Sequence, residues 1–281
     1  MIIDGRYRII EAIGAGGMGA VYRVHDRLTG ETMALKRVLM DAARLDFRTR
    51  SSAESADDRR MALAREFKTL AALRHPNIVS VLDYGFDSEP YFTMTLVENA
   101  RDLRAAATPL DGMGKVGLLV QMLQALIYLH RQGIVHRDLK PANALVDATG
   151  RLRLLDFGLA IQPETARETA GTLHYMSPEA LRGDYIDQRA DLYAVGVIAY
   201  EFFTGEHPFA DSSIHRLLMD ILTRQPDTTR IPDTTMLLAP PAAASVTADD
   251  LPTRAPSDTN FSQTIHIVDT DGAPPEWVMD H

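Results

Sequence analysis

No cysteine occurs in the 281 residues. Disulfide bridges and thiolate metal sites are therefore excluded, which fits a reducing compartment. Positive charge is also in short supply. Lysine and arginine total 29 against 38 aspartates and glutamates, and the net charge of −9 runs opposite to what a general nucleic-acid-binding surface needs. The first residues, Met1-Ile2-Ile3-Asp4-Gly5-Arg6, lack the basic start and apolar run of a secretory leader. Long hydrophobic runs are missing as well. The longest, around Ala194 to Phe203, is shorter than the roughly 20 residues that cross a bilayer, and it contains Tyr200 and Glu201. No internal repeat is visible. What is present is 46% hydrophobic residues, enough for a sizeable core in one large domain or two lobes. The expectation is a cytoplasmic protein without a membrane segment.

The chain divides into three stretches: 1–95, 96–225 and 226–281. In the first, Tyr7 to Ile13, Ala20 to His25 and Thr32 to Val38 are short apolar runs separated by glycine-containing turns, which predicts hairpins. Residues 61–74 carry apolar side chains near the helical period, and 78–97 return to strand-like runs with a turn near Asp87-Ser88-Glu89-Pro90. In the second stretch, residues 113–131 read as a strong helix, with Gly133 where a helix stop belongs. Residues 191–204 read as a buried helix and 213–224 as a shorter one. Residues 41–60 are charged and Ser/Ala-rich, a solvated loop by composition. From Pro226 onward the chain turns to Pro, Thr, Ala and Asp, which predicts a disordered tail.

Three motifs carry chemistry. Gly14-Ala15-Gly16-Gly17-Met18-Gly19-Ala20-Val21 follows a G-x-G-x-x-G-x-V spacing. Glycines let a backbone lie close to phosphates and present its N–H groups. A dinucleotide-binding fold uses similar spacing but opens a helix, whereas Ala20 to Val24 reads as a strand, so here the glycines close a hairpin. Downstream, Lys36 ends a strand pattern. His136-Arg137-Asp138-Leu139-Lys140-Pro141-Ala142-Asn143 then precedes Asp156-Phe157-Gly158, with thirteen positions from Asn143 to Asp156. This places a base, a cation and two oxygen ligands for a hard metal at fixed offsets, the equipment of phosphoryl transfer from ATP.

Together these strings resemble the serine/threonine protein kinases of bacteria, over about Tyr7 to Gln225. The resemblance implies an α+β, bilobal protein-kinase-like fold, with a β-rich N-lobe over 1–95 and a mostly helical C-lobe over 96–225, shortened at its last helices. It implies ATP as the nucleotide, with Mg²⁺ or Mn²⁺, and protein substrates. Asp138 is the implied base, Lys140 a contact to the γ-phosphate, and Asn143 and Asp156 the metal ligands. Lys36 would meet the α- and β-phosphates, held by an ion pair with Glu66. Gly14, Ala15, Gly16, Gly17, Met18 and Gly19 would cover the phosphates, and Val21, Ala34, Met94 and Leu145 would line the adenine pocket.

The same resemblance assigns His136 and Phe157 to a packed column with Leu70 and Val81, anchored by Asp191. Arg137 would meet a phosphorylated threonine, Thr169 or Thr165. Thr172 would contact Asp138 and Lys140. Ser177-Pro178-Glu179 stands where the family usually has Ala-Pro-Glu, and the arginine that normally pairs with this glutamate is missing from the sequence pattern. Arg224, Arg230, solvent or a partner protein are the candidate substitutes. A nucleotide-binding module that recruits partners without catalysis is the alternative reading, and a small-molecule kinase a more distant one. Oligomeric state is not legible.

Overall fold

The β-branched and aromatic runs of the first stretch form a twisted antiparallel sheet. Its strands are β1 (Ile2–Ile3), β2 (Tyr7–Gly16), β3 (Gly19–Asp26), β4 (Thr32–Val38), β5 (Val81–Asp87) and β6 (Glu89–Met94), in the order β1-β2-β3-β4-β6-β5. The computed structural model describes residues 1–16, 19–38, 67, 70–155, 173–209 and 213–232, all inside one compact unit, Met1–Pro241. The expected helix over 61–74 is described only at Phe67 and from Leu70 on, where the residues begin helical. The stretch 41–60 and nearly all of the expected tail lie outside the described residues.

Alternation decides the two faces of this sheet. Met33 and Leu35 of β4 point into one apolar cluster with Ile3, Tyr7, Val24 and Tyr91. Ala34, between them, belongs to the main core with Phe67, Leu70, Val81, Phe92 and Met94. Successive strand residues face opposite sides, so a slip of one position would exchange the two sets. Phe67 ties the helical segment to the sheet by stacking on Tyr84 at 5.5 Å and packing against the tilted ring of Phe92 at 5.4 Å.

Below the sheet the chain becomes helical. After a two-residue strand β7 (Arg101–Asp102) come α1 (Leu103–Ala107) and α2 (Gly112–Arg131). Asp102 and Asp111 cap these helices by accepting from the N–H groups of Ala105 and Gly114 at 2.9 and 2.8 Å. Leu118, Met122, Ala125, Leu126 and Leu129 of α2 are buried. At roughly 1.5–3 kcal/mol per buried large side chain, this packing outweighs helix propensity. Gly133 follows the helix at φ +72°, the left-handed stop the sequence predicts. Short strands β8 (Ala144–Val146) and β9 (Leu152–Leu154) join β7 in a second sheet, order β7-β8-β9. Among the described residues three α-helices follow: α3 (Pro178–Arg182), α4 (Gln188–Thr204) and α5 (Ile214–Thr223).

Two details differ from the sequence reading. The buried helix α4 starts at Gln188 rather than 191, because Asp187 caps it by accepting the Arg189 N–H at 2.8 Å. The longest apolar element is α2, not the 194–203 run. With a mean hydropathy of 1.3 over its best 18 residues, this 20-residue helix is the one helix among the described residues long and apolar enough to cross a membrane. Its inner face packs in the main core instead.

Candidate active site

The glycine-rich segment closes a hairpin. Strands β2 and β3 pair Gly14 with Val21, Ala15 with Ala20 and Gly16 with Gly19, leaving Gly17 and Met18 at the tip, outside the described residues. Gly19 lies at φ +132°, a conformation that favours glycine. No helix follows, so the dinucleotide-fold alternative is excluded by geometry.

Registration across the sheet places the other candidates in rows. Lys36 pairs with Val21 on one side and Phe92 on the other, which extends the Gly14–Val21 pair into one row. The next row pairs Ala34 with Met94, and Met94 with Val81. Directly opposed residues share a face, and so do residues two apart on a strand. Gly14, Val21, Ala34, Lys36 and Met94 therefore all belong to one face. Lys36 is only 7% exposed there. Glu66, its expected partner, lies outside the described residues.

The loop after α2 carries the second half of the site. Asp191, 1% exposed on α4, accepts the backbone N–H of His136 through Oδ2 and that of Arg137 through Oδ1, both at 2.9 Å. His130 Nε2 sits 2.7 Å from the same Oδ2. Arg137 adopts φ +66°, which costs a non-glycine residue about 1 kcal/mol. Each charge-assisted bond from Asp191 contributes about 1.5–3 kcal/mol, so the carboxylate outweighs the strain and fixes the turn. His136, Leu70 and Val81 are buried. Phe157, the fourth member of the expected column, is outside the described residues.

With the turn fixed, Asp138 faces Lys140 and Asn143. Lys140 Nζ donates to Asp138 Oδ1 at 3.1 Å and lies 2.9 Å from Oδ2. Asn143 Nδ2 donates to the Asp138 carbonyl at 2.7 Å and to Oδ2 at 2.8 Å. A one-turn 3₁₀ helix, Pro141–Asn143, sets that spacing. Because its amide N–H₂ is spent on Asp138, Asn143 keeps its side-chain oxygen, a hard donor of the kind Mg²⁺ accepts. The donor chemistry therefore fits a hard divalent cation. Among the described residues no group of three or more His, Cys, Asp or Glu could hold a metal alone. Asp156, the other expected ligand, is not described, but Leu155 before it donates its N–H to the Asn143 carbonyl at 2.9 Å.

Leu145 of β8 is half-buried, on the strand leading out of this loop. Thr165, Thr169 and Thr172 lie outside the described residues. Glu179 is half-exposed, and no cation lies within ion-pair distance of it among the described residues. Neither sequence candidate substitutes. Arg224 pairs with Asp220 and Arg230 with Glu206, at 2.7 and 2.8 Å. The nearby Tyr193 hydroxyl is pushed up to about 12, by burial first and by the Glu179 charge second.

One positioning residue escaped the sequence reading. Asn77 donates through Nδ2 to Gln121 Oε1 at 3.0 Å and to the Leu152 carbonyl at 2.8 Å, and its own carbonyl accepts from Leu154 N–H at 2.9 Å. It bolts the segment before β5 to α2 and β9. The string His75-Pro76-Asn77, a polar residue after a proline break, is the local signal for it.

A glycine-rich hairpin, a buried lysine in the next strand and an Asp–Lys–Asn loop braced from the helical side make up the described part of the site. The family model described as the protein kinase domain matches residues 7–255. The chain belongs to the protein kinase family.

It is 38% identical over 230 residues to the DNA damage-responsive serine/threonine-protein kinase RqkA of Deinococcus radiodurans, covering 77% of this chain and 32% of that protein. Against the probable serine/threonine-protein kinase PknB of Lactococcus lactis the identity is 36% over 222 residues, 76% and 34% of the two chains. Against the serine/threonine-protein kinase PrkC of Bacillus subtilis it is 33% over 237 residues, 81% and 35%. The chain thus spans about a third of the length of the curated relatives it matches.

Proposed function

We propose that this chain is an ATP-dependent protein serine/threonine kinase, moving the γ-phosphoryl group of ATP to serine or threonine hydroxyls of proteins, its own Thr169 or Thr165 among them. The observation that carries this reading is the Asp138–Lys140–Asn143 arrangement, braced by Asp191, in a chain that also buries a strand lysine, Lys36. Residues 1–95 form the upper lobe, 96–225 the lower, and 226–281 a spacer.

In this reading the backbone of Gly14–Gly19 lies over the phosphates. Lys36, set by Glu66, meets the α- and β-phosphates. Val21, Ala34, Met94 and Leu145 enclose the adenine. Asp138 accepts the hydrogen of the incoming hydroxyl and aims its oxygen along the line of transfer. Lys140 neutralises charge on the γ-phosphoryl oxygens. The transition state is loose, so orientation and charge neutralisation supply most of the acceleration. Asn143 and Asp156 would hold Mg²⁺ or Mn²⁺, and such an ion would supply positive charge to neutralise the phosphates. No observation favours the non-catalytic alternative, since Lys36, Asp138, Lys140 and Asn143 are all present.

The test is incubation with γ-labelled ATP and Mg²⁺, beside Asp138→Asn and Lys36→Met, followed by mapping of the label. Label on threonine in the native chain alone is expected. A folded native chain that binds ATP yet labels neither itself nor any protein would move the reading to a binding module.

A further inference from the structure

A single imidazole joins the loop after α4 to the segment before α3. His207 is half-buried just beyond Gly205, the cap of α4. Its Nε2 lies 2.8 Å from the His174 carbonyl, and its Nδ1 accepts the Phe209 N–H at 3.1 Å. A carbonyl only accepts and a backbone N–H only donates, so these neighbours require the neutral ring with its hydrogen on Nε2. The ring packs edge-on to His174, Tyr175 and Phe209, at 5.0, 6.3 and 6.2 Å. Phe209 is itself buried against Leu217 and Ile221 of α5. The segment that His207 holds is tied at another point to the Asp138 loop. The Tyr175 hydroxyl donates to Glu201 Oε2 and accepts from Arg104 Nη2, both at 2.9 Å. Arg104 belongs to α1, which packs against the turn Pro141–Asn143. Two positions before His174 in the sequence stands Thr172, the residue expected to contact Asp138 and Lys140.

We infer that His207 is a positioning residue for the protein substrate: as the neutral ring it holds the His174–Tyr175 segment in place beside the Asp138 loop, and its protonation releases that hold. The substrate role rests on the catalytic reading above. A proton on Nδ1 turns that atom from acceptor into donor and sets it against the Phe209 N–H, so the joint opens. The titratable and charged groups facing the ring are His174, Tyr175, Glu201 and Arg104, and the last two are paired with each other at 3.1 Å. Burial, the largest influence, holds His207 below the ordinary histidine value, against the His174 carbonyl bond and the Glu201 charge, which raise it. With the value lowered, the neutral ring's contribution is complete above about pH 6.5 and is lost as pH falls from there.

The test uses the native chain as enzyme and the Asp138→Asn chain as phosphate acceptor. His207→Ala should raise KM for this acceptor at least about tenfold, the effect of orphaning one buried hydrogen-bonding group, with KM for ATP unchanged. His207→Gln keeps an N–H donor and an acceptor but cannot titrate. It should restore the KM seen at neutral pH and abolish the rise in acceptor KM that the native enzyme shows between about pH 6.5 and 5. His215→Gln, exposed on α5, should behave as the native enzyme does. Nitrogen resonances of the His207 ring should show Nδ1 without a hydrogen at neutral pH. In acid the Phe209 amide should lose its protection from hydrogen exchange in the native chain but not in His207→Gln. A hydrogen on Nδ1 at neutral pH overturns the inference, as do equal changes in the two KM values or a native pH profile matched by His207→Gln. A chain that labels no acceptor, while the resonance and exchange results hold, would overturn the substrate role through the catalytic reading and leave the His207 joint standing.

Discussion

Asp26 at the corner of the upper sheet and Asp138 in the loop after α2 face basic side chains in opposite ways. Asp26 is fully buried, and donors fill its capacity. Oδ1 accepts from Arg6 Nε at 2.8 Å and Leu28 N–H at 2.9 Å, and Oδ2 from Arg6 Nη2 at 2.7 Å and Thr29 Oγ1 at 3.0 Å. Arg6 then reaches Asp83 at 2.6 Å, which also accepts the Tyr7 hydroxyl at 2.9 Å. A carboxylate offers about four acceptor sites, and Asp26 uses all of them. Among the described residues, Asp138 accepts side-chain donors only from Lys140 and Asn143, and it keeps 20% of its side chain exposed. A saturated carboxylate holds structure together. One with spare acceptor sites beside a cation is equipped to take a hydrogen from something else.

This contrast makes predictions, taken here from the largest effect down. Asp138→Asn should lower phosphoryl transfer by about 10²–10⁴-fold with an unchanged melting temperature, measured by single-turnover label transfer beside calorimetry. Asp191→Ala sits between the two cases. It orphans the N–H groups of His136 and Arg137, so it should cost about 3 kcal/mol in denaturant titration and abolish transfer as well. Asp26→Asn should cost about 2 kcal/mol at neutral pH while the activity per folded molecule stays the same.

Its pH dependence is set by the hydrogen bonds from Arg6, which hold the Asp26 carboxyl well below the usual carboxylate range. The stabilisation is complete above the ordinary carboxylate value of about 4 and fades as pH falls from there toward the depressed one. The gap between the native chain and Asp26→Asn should therefore narrow in acid. A gap that widens would place the charge elsewhere.

Gly85→Ala sharpens the structural side. An added Cβ would lie 2.6 Å from Tyr91 Cζ, whose hydroxyl donates to Asp4 Oδ2 at 2.6 Å. A loss of about 1–3 kcal/mol is expected, again with normal activity per folded molecule. The smallest effect belongs to Arg137→Gly, which should relieve the left-handed strain and stabilise by up to about 1 kcal/mol while removing the charge expected to order the loop.

How much of this was legible depended on range. The hairpin glycines and the loop from His136 to Asn143 are local strings, so spacing alone put them in order. The i,i+4 pair of Asp220 and Arg224 was equally local, and reading it would have withdrawn Arg224 as a substitute partner for Glu179. The corner around Asp26 was not legible, since Arg6 and Asp83 lie 77 residues apart and nothing local announces their meeting. The elements α1, β7, β8, β9 and α3 have only two to five residues, too few for a period to register. Asn77 failed for another reason. Its bonds go to Gln121 and Leu152, contacts that exist only once both lobes have folded.

The most direct measurement is label transfer per folded molecule for Asp138→Asn and Asp26→Asn side by side. The account predicts that Asp138→Asn melts like the native chain and is nearly silent, while Asp26→Asn melts earlier and transfers phosphate at the native rate. Transfer surviving in Asp138→Asn, or lost equally in both once corrected for folding, would contradict it.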